Sequence, residues 1–264
     1  VWSSSDGIEW TRATEEAPWA VRNLPNCVVF DDKMWIMGGG SYVDNVIGNE
    51  HVAYNDVWSS TNGRDWELET DSAAWSPRSS ATAIVFDDRM WMIGGMGWAD
   101  GRNTLHDVWY SDNGKQWKLA TDYPSWCARS MQTTVVFDEK LWVIGGGVYD
   151  ENVYANSAIN FQDVWYSSDG VEWHEATGSA AWPGRRFHRS VVYDDKMWVI
   201  GGSHYGNRHD VWYSSDGADW LRAEDADWSV RHEPGGLVFQ DKIWIIGGFG
   251  KDLYNDVWSF KKES

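Results

Sequence analysis

Residues 191–202 read VVYDDKMWVIGG, and the same design returns four more times: VVFDDKMWIMGG from Val28, IVFDDRMWMIGG from Ile84, VVFDEKLWVIGG from Val135 and LVFQDKIWIIGG from Leu237. Each copy joins an apolar triplet, a two-residue polar turn, a second apolar run and a glycine pair. Aromatic and β-branched residues fill both runs. A pair such as Asp31-Asp32 between them suits a tight two-residue connection, so each copy reads as an antiparallel hairpin, strands 1 and 2 of a unit. No stretch sustains a 3.6-residue apolar period, so helices are expected to be short or absent.

Past a variable stretch every unit continues with Asp-Val-Trp, at Asp56, Asp107, Asp163, Asp210 and Asp256. Hairpin signals follow such segments at Asp6-Gly7, Asn62-Gly63, Asn113-Gly114, Asp169-Gly170 and Asp216-Gly217, each joining a strand 3 to a strand 4. Tryptophan keeps the register. Strand 3 carries Trp2, Trp58, Trp109, Trp165, Trp212 and Trp258; strand 4 carries Trp10, Trp66, Trp117, Trp173 and Trp220. Strand 2 carries Trp35, Trp91, Trp142, Trp198 and Trp244, and the segment after strand 4 carries Trp19, Trp75, Trp126, Trp182 and Trp228. Of the 22 tryptophans only Trp98 stands off this pattern. Large rings at equivalent places in every unit suit the space between radially arranged four-stranded sheets. Fixed self-similarity along the whole chain predicts an all-β protein with residues 1–264 as a single β-propeller domain.

The residues carry a family resemblance. The glycine pair, then DVWYSSDGVEW with Tyr166 and Trp173 at a spacing shared by Tyr110 with Trp117 and Tyr213 with Trp220, resembles the kelch repeat of the galactose-oxidase-like superfamily. RRFHRSVV from Arg185 is similar to the family's Arg-x-x-His approach to strand 1. Departures are Ser3, Ser59 and Ser259 in place of the Tyr, and Pro25, Ala81, Gln132 and Pro234 in place of the His. The Ser-x-Asp-Gly-x-x-Trp turn is also similar to an Asp-box one residue shorter than that motif. The resemblance implies a ring of four-stranded blades. Strands 1 and 2 occur five times and strand 3 six times. The ring is therefore five-bladed, with residues 8 to 14 completing the final blade, or six-bladed with one incomplete blade. The latter, which we favour here, implies roughly 40 further N-terminal residues; the lack of an initiator Met points the same way.

Length variation is concentrated in one place, and other intervals barely change. Gly38 to Asp56 spans 18 residues, Gly94 to Asp107 13, Gly145 to Asp163 18, and Gly201 to Asp210 and Gly247 to Asp256 9 each. The insertions therefore lie between strands 2 and 3 and emerge on one face, where recognition is expected. Candidate ligand-binding residues there are Tyr42, His51 and Tyr54; Trp98; Tyr149 and Tyr154; His204 and Tyr205; and Tyr254. Aromatic rings mixed with amides and carboxylates suit a protein segment or a carbohydrate. The same face receives the Trp-x-x-Arg segment of each unit, with Arg22, Arg78, Arg129, Arg185 and Arg231. Such a ring of guanidiniums either binds an anionic ligand group or ties blades together through Asp and carbonyl partners.

Charge narrows the partners. With 22 Lys and Arg against 40 Asp and Glu the net charge is −18, and no basic run exists, which argues against nucleic acid. No apolar stretch approaches the roughly 18 to 20 residues of a membrane span and no signal-peptide pattern opens the chain, so membrane insertion is not expected. His204 and His209 with His188 do not have zinc spacing, and neither metal nor cofactor is expected. The copper site of galactose oxidase needs a Tyr, His and thioether-linked Cys set that neither Cys27 nor Cys127 matches. Phosphate loops and Gly-x-Ser-x-Gly are absent. The expected function is non-catalytic recognition on the long-loop face. The alternative implied by the resemblance is a carbohydrate-active enzyme of the sialic-acid anomer epimerase (mutarotase) type, to whose catalytic motif no residue here matches individually. Similarity to exported bacterial kelch proteins suggests a secreted or cell-surface home.

Overall fold

The acidic pairs turn the chain as their position requires. In the computed structural model, which describes residues 1–45, 48–97, 103–148, 159–224 and 226–261, Asp31 and Asp32 take φ of +49° and +54°, and Asp194 and Asp195 both +51°. Two successive left-handed residues make the turn whose twist matches that of the flanking strands. Gln240 and Asp241 adopt the same conformation, at +48° and +55°. All regular structure among the described residues is strand. No helix among them is long and apolar enough to cross a membrane.

The chain divides into two units. In Val1–Tyr123, Trp2–Ser3 pairs with Thr11–Arg12, a hairpin of the strand 3–strand 4 kind. A first sheet follows in the order Asn26–Phe30, Lys33–Met37, Val57–Ser60, Glu67–Thr70, and a second in the order Thr82–Phe86, Arg89–Gly97, Asn103–Ser111, Lys118–Thr121. In Pro124–Ser264 the third sheet runs Thr133–Phe137, Lys140–Ile144, Val164–Ser167, His174–Thr177, and the fourth Arg189–Tyr193, Lys196–Ile200, Val211–Ser214, Leu221–Arg222. The fifth has Gly235–Phe239, Lys242–Phe249 and Leu253–Phe260. Every neighbouring pair is antiparallel.

Within each unit, rings fill the space between sheets. Trp75 meets Trp117 edge to face at 5.9 Å, and Trp126 with Trp173 and Trp182 with Trp220 repeat the arrangement at 5.8 Å. Edge-to-face geometry sets the positive edge of one indole against the negative face of the other. Strand-2 indoles are also anchored, as Trp142 Nε1 donates to the Phe137 carbonyl at 2.8 Å. The strand 3–strand 4 hairpin packs on such a ring: a Cβ on Gly217 would fall within the Trp142 ring, so only glycine fits there. The serine and Asx of that hairpin cap it. Ser214 Oγ accepts from Gly217 N at 2.8 Å, and Asp216 Oδ1 accepts from Ala218 N and Asp219 N at 2.9 Å each.

The variable stretches are more ordered than loops. Gly40–Asn45 pairs with Gly48–Ala53, and Gly147–Val148 with Ile159–Asn160. In the second sheet Arg89–Gly97 and Asn103–Ser111 stay paired past a register shift between Ile93 and Gly95. The glycine pair acts as a bulge after which the ladder between strands 2 and 3 resumes.

Candidate functional site

The corner where strand 2 leaves its sheet is built the same way five times. Arg185 donates from Nη1 to the Gly201 carbonyl at 2.8 Å and, through both terminal nitrogens, to Asp210 at 2.9 and 2.8 Å. Its Nε donates to the Pro183 carbonyl at 3.3 Å. Arg22 with Asp56, Arg78 with Asp107, Arg129 with Asp163 and Arg231 with Asp256 form the same two-pronged pairs at 2.6–2.8 Å. Each Asp also accepts the indole N–H two residues on, as Asp210 does from Trp212 at 2.8 Å.

The same arginines join neighbouring sheets. The Arg185 amide donates to the Phe161 carbonyl at 2.9 Å, and its carbonyl accepts from Gly146 N at 2.8 Å, both in the third sheet's corner, while its side chain holds the fourth sheet. Arg231 links the fourth and fifth sheets, and Arg78 the first and second, by the same pattern. All five guanidiniums are buried, at no more than 2% side-chain exposure. Their donors are held by protein partners. Burial raises the Asp107 carboxyl but the Arg78 bonds outweigh it and hold it low, whereas the bond from Arg231 brings Asp256 down to about 2.

Around these corners the recognition candidates divide. Tyr54 lies under the Arg22 guanidinium at 4.2 Å and bonds Ser41 Oγ through its hydroxyl at 3.0 Å; Tyr254 lies under Arg231 at 4.6 Å. Phe161, which sequence reading overlooks, does the same for Arg129 at 4.5 Å. All three stand two residues before the corner aspartate, a spacing that could have revealed them. Such stacking adds a cation–π term to each corner. His204 and Tyr205 meet edge to face at 4.5 Å, with Tyr205 80% exposed and at φ +49°. Trp98, Tyr149 and Tyr154, and the side chains of Tyr42 and His51, lie outside the described residues; the backbones of Tyr42 and His51 face each other across their ribbon.

The second unit adds a cluster that composition did not single out. His232 packs between Phe187 at 5.5 Å and Phe249 at 5.1 Å and donates from Nδ1 to Asn207 Oδ1 at 2.8 Å. Asn207 Nδ2 reaches the Phe249 carbonyl at 3.3 Å. Burial, and then Arg186, hold the His232 ring below its ordinary range, so it is neutral at pH 7. Beside it, Glu233 N donates to the Phe187 carbonyl at 2.8 Å and Phe187 N to the Met131 carbonyl at 3.0 Å, with all three residues left-handed at φ +54°, +57° and +59°. Leu24 and Ser80, equally two residues after their arginines, share that conformation in the first unit. Among the described residues no group of three or more His, Cys, Asp or Glu side chains is arranged to hold a metal ion.

Comparison with known proteins agrees with this architecture. The chain is 28% identical over 173 residues to the leucine-zipper-like transcriptional regulator 1 homolog of Drosophila melanogaster, covering 62% of this chain and 16% of that protein. It is 26% identical to beta-scruin of Limulus polyphemus over 86% of this chain and 23% of that one. It is likewise 26% identical to kelch repeat protein M-T8 of myxoma virus, over 60% of this chain and 28% of that one. The chain thus spans less than a third of the length of these relatives. No family model matches. The solved structure of YjhT superposes with a TM-score of 0.75 over 96% of this chain and 85% of that one, at 15% identity. With one hairpin-built unit repeated five times, antiparallel sheets to match and a kelch repeat protein among its relatives, the chain is a kelch-type β-propeller.

Proposed function

We propose that this propeller is a non-catalytic recognition module that binds a segment of another protein on the face bearing the strand 2–strand 3 excursions. One observation carries the reading: the long insertions all lie beyond the five corners, while the corners themselves are locked. A scaffold that holds its frame constant and varies one surface is organised for recognition. Kelch-repeat relatives from an insect, a horseshoe crab and a virus support an interaction module over a chemistry fixed by the fold. In this reading the five arginines hold the floor of the face, and contact falls to exposed rings such as Tyr205, together with His204, Tyr254 and the residues of the longer excursions.

A displayed library of random twelve-residue peptides, selected on the intact chain, tests this. Selected peptides are expected to lose about tenfold or more in affinity to a Tyr205→Ala, Trp98→Ala double variant, and to bind an Asp194→Ala variant, altered at the opposite end of a blade, unchanged. Peptides indifferent to the double variant would remove the site from this face. An NMR assay of sialic-acid anomer exchange separates the enzyme reading: exchange faster than in buffer would overturn the non-catalytic assignment.

A further inference from the structure

Hairpins of one design carry two different residues at the same place. Asp6, Asp169 and Asp216 precede the hairpin glycine in three copies, whereas Asn62 and Asn113 precede it in the first and second sheets. An Asn-Gly pair has a chemistry that Asp-Gly performs far more slowly. The glycine nitrogen, once a base has taken its proton, bonds to the Asn Cγ; the side-chain nitrogen leaves as ammonia and a five-membered imide closes. Water then opens the imide at one carbonyl to give Asp, or at the other to give isoaspartate.

The fold withholds what the first step needs. Gly63 N donates to Ser60 Oγ and Gly114 N to Ser111 Oγ, both at 2.8 Å, and both glycines are buried. A Cβ on Gly114 would fall within the Trp35 ring, and one on Gly63 would lie 3.3 Å from Met34 Cε. Burial of this kind keeps hydroxide, the base for this step in water, from the two N–H groups. The carboxamides are fixed as well. Asn62 Oδ1 accepts from Arg64 N at 2.8 Å and Asp65 N at 2.9 Å, and Asn113 Oδ1 from Lys115 N and Gln116 N at 3.0 Å each. These donors draw electrons from the carbonyl and would assist an attack, but a glycine nitrogen that keeps its proton is no nucleophile.

We propose that Asn62 and Asn113 are latent modification sites, closed in the folded hairpin and open whenever the hairpin opens, and that of the two products only Asp is readmitted to the fold. Sibling hairpins show the Asp form in place. Asp169 Oδ1 accepts from Val171 N at 2.8 Å and Glu172 N at 2.9 Å, and Asp216 Oδ1 from Ala218 N and Asp219 N at 2.9 Å each. Asp219 stands to Asp216 as Asp65 stands to Asn62, so an acidic neighbour is compatible with the product. Isoaspartate, by contrast, moves the side-chain methylene into the main chain and leaves its carboxylate on a branch one carbon shorter, which cannot cap the two amides ahead. Each conversion adds one negative charge to a chain at −18, so the Asp content at the two positions records how often these hairpins have opened.

The test incubates the intact chain in mildly alkaline buffer beside free peptides copying residues 59–67 and 110–118, and counts Asn, Asp and isoaspartate by peptide mapping. Each asparagine is expected to convert at least about tenfold more slowly in the chain than in its peptide, because the glycine amide is reached only in an opened hairpin. Ser60→Ala should raise the rate at Asn62 about threefold or more and leave Asn113 unchanged, and Ser111→Ala should do the reverse. A double variant, Asn62→Asp with Asn113→Asp, should melt within about 2 °C of the parent chain. Rates equal to those of the peptides, or a serine variant without effect on its own asparagine, would overturn the proposal. Acceleration of both asparagines by either variant would overturn it too, by assigning the protection to the unit as a whole. Isoaspartate recovered from natively migrating chain, or a large loss of stability in the double variant, would overturn the selection of product.

Discussion

The corners and the excursions beyond them are a few residues apart and follow opposite rules. At the corner an arginine, a glycine carbonyl and an aspartate recur five times with partner distances that differ by tenths of an ångström. Beyond the glycine pair, the excursions range from 9 residues to 18 and share little beyond the aromatic ring that Tyr54, Phe161 and Tyr254 place two residues before the aspartate. The ladder resumes after the bulge in either case, so excursion length is free once the corner is fixed. Frame and variation are separated by one pair of glycines. At Gly146, with φ +91°, a Cβ would lie 2.7 Å from that of Gln132.

Breaking the frame is expected to have the largest effect. Arg185→Ala leaves the buried Asp210 carboxylate without its partner and should cost about 3–5 kcal/mol in urea unfolding. Arg185→Lys should recover only part, because an ammonium cannot make the two-pronged pair. A variant that kept its stability and lost only ligand would place this arginine with the variable surface.

Next comes a pH effect on the frame. His188 is fully buried in the second unit, its Nε2 2.8 Å from Thr133 Oγ1, and burial foremost, with Arg185 second, brings its pKa to about 3. The unfolded chain takes up this proton near pH 6.5, so stability is full above that value. It falls by about 1.4 kcal/mol per pH unit from 6.5 down toward 3. Urea midpoints between pH 7 and 5 should show this, and His188→Gln should flatten the dependence; an unchanged slope would show that other groups govern it.

Smaller effects are expected at the strand 3–strand 4 hairpin. Asp216→Ala frees two backbone amides and should cost about 1–2 kcal/mol. Asp216→Asn should be close to neutral, since Asn62 and Asn113 make the same bonds in the first unit. The smallest change in stability, within about 0.5 kcal/mol by thermal melting, is expected for Tyr205→Ala on the exposed excursion. A large loss there would make Tyr205 part of the frame.

The same separation governed what could be read from the sequence. Turn chemistry and tryptophan spacing are local, so the hairpins and the four-strand unit were legible. The arginine's bond to the first glycine of the pair always spans 16 residues, at Arg22 with Gly38 as at Arg231 with Gly247, and that half of the corner was visible as periodicity. Its bond to aspartate spans 34, 29, 34, 25 and 25 residues because the excursion intervenes, so no fixed spacing chose between an internal tie and a ligand site. The His232, Phe187 and Phe249 cluster was illegible because its members come from three segments that meet only after the sheets pack. Continuation of strands through the excursions was hidden by their polar composition, since ladder bonds need backbone and not apolar side chains.

The burial of the tryptophans also has an optical consequence. Trp75, Trp91 and Trp182 are sealed in the interior, while Trp2 at the N-terminal hairpin is 60% exposed and Trp10 40%. Indole emission moves to longer wavelength as water reaches the ring, so the native spectrum combines a blue component from the sheets with a red one from that hairpin. Melting of the hairpin alone leaves the blue light in place, and a shift of the whole band reports the sheets.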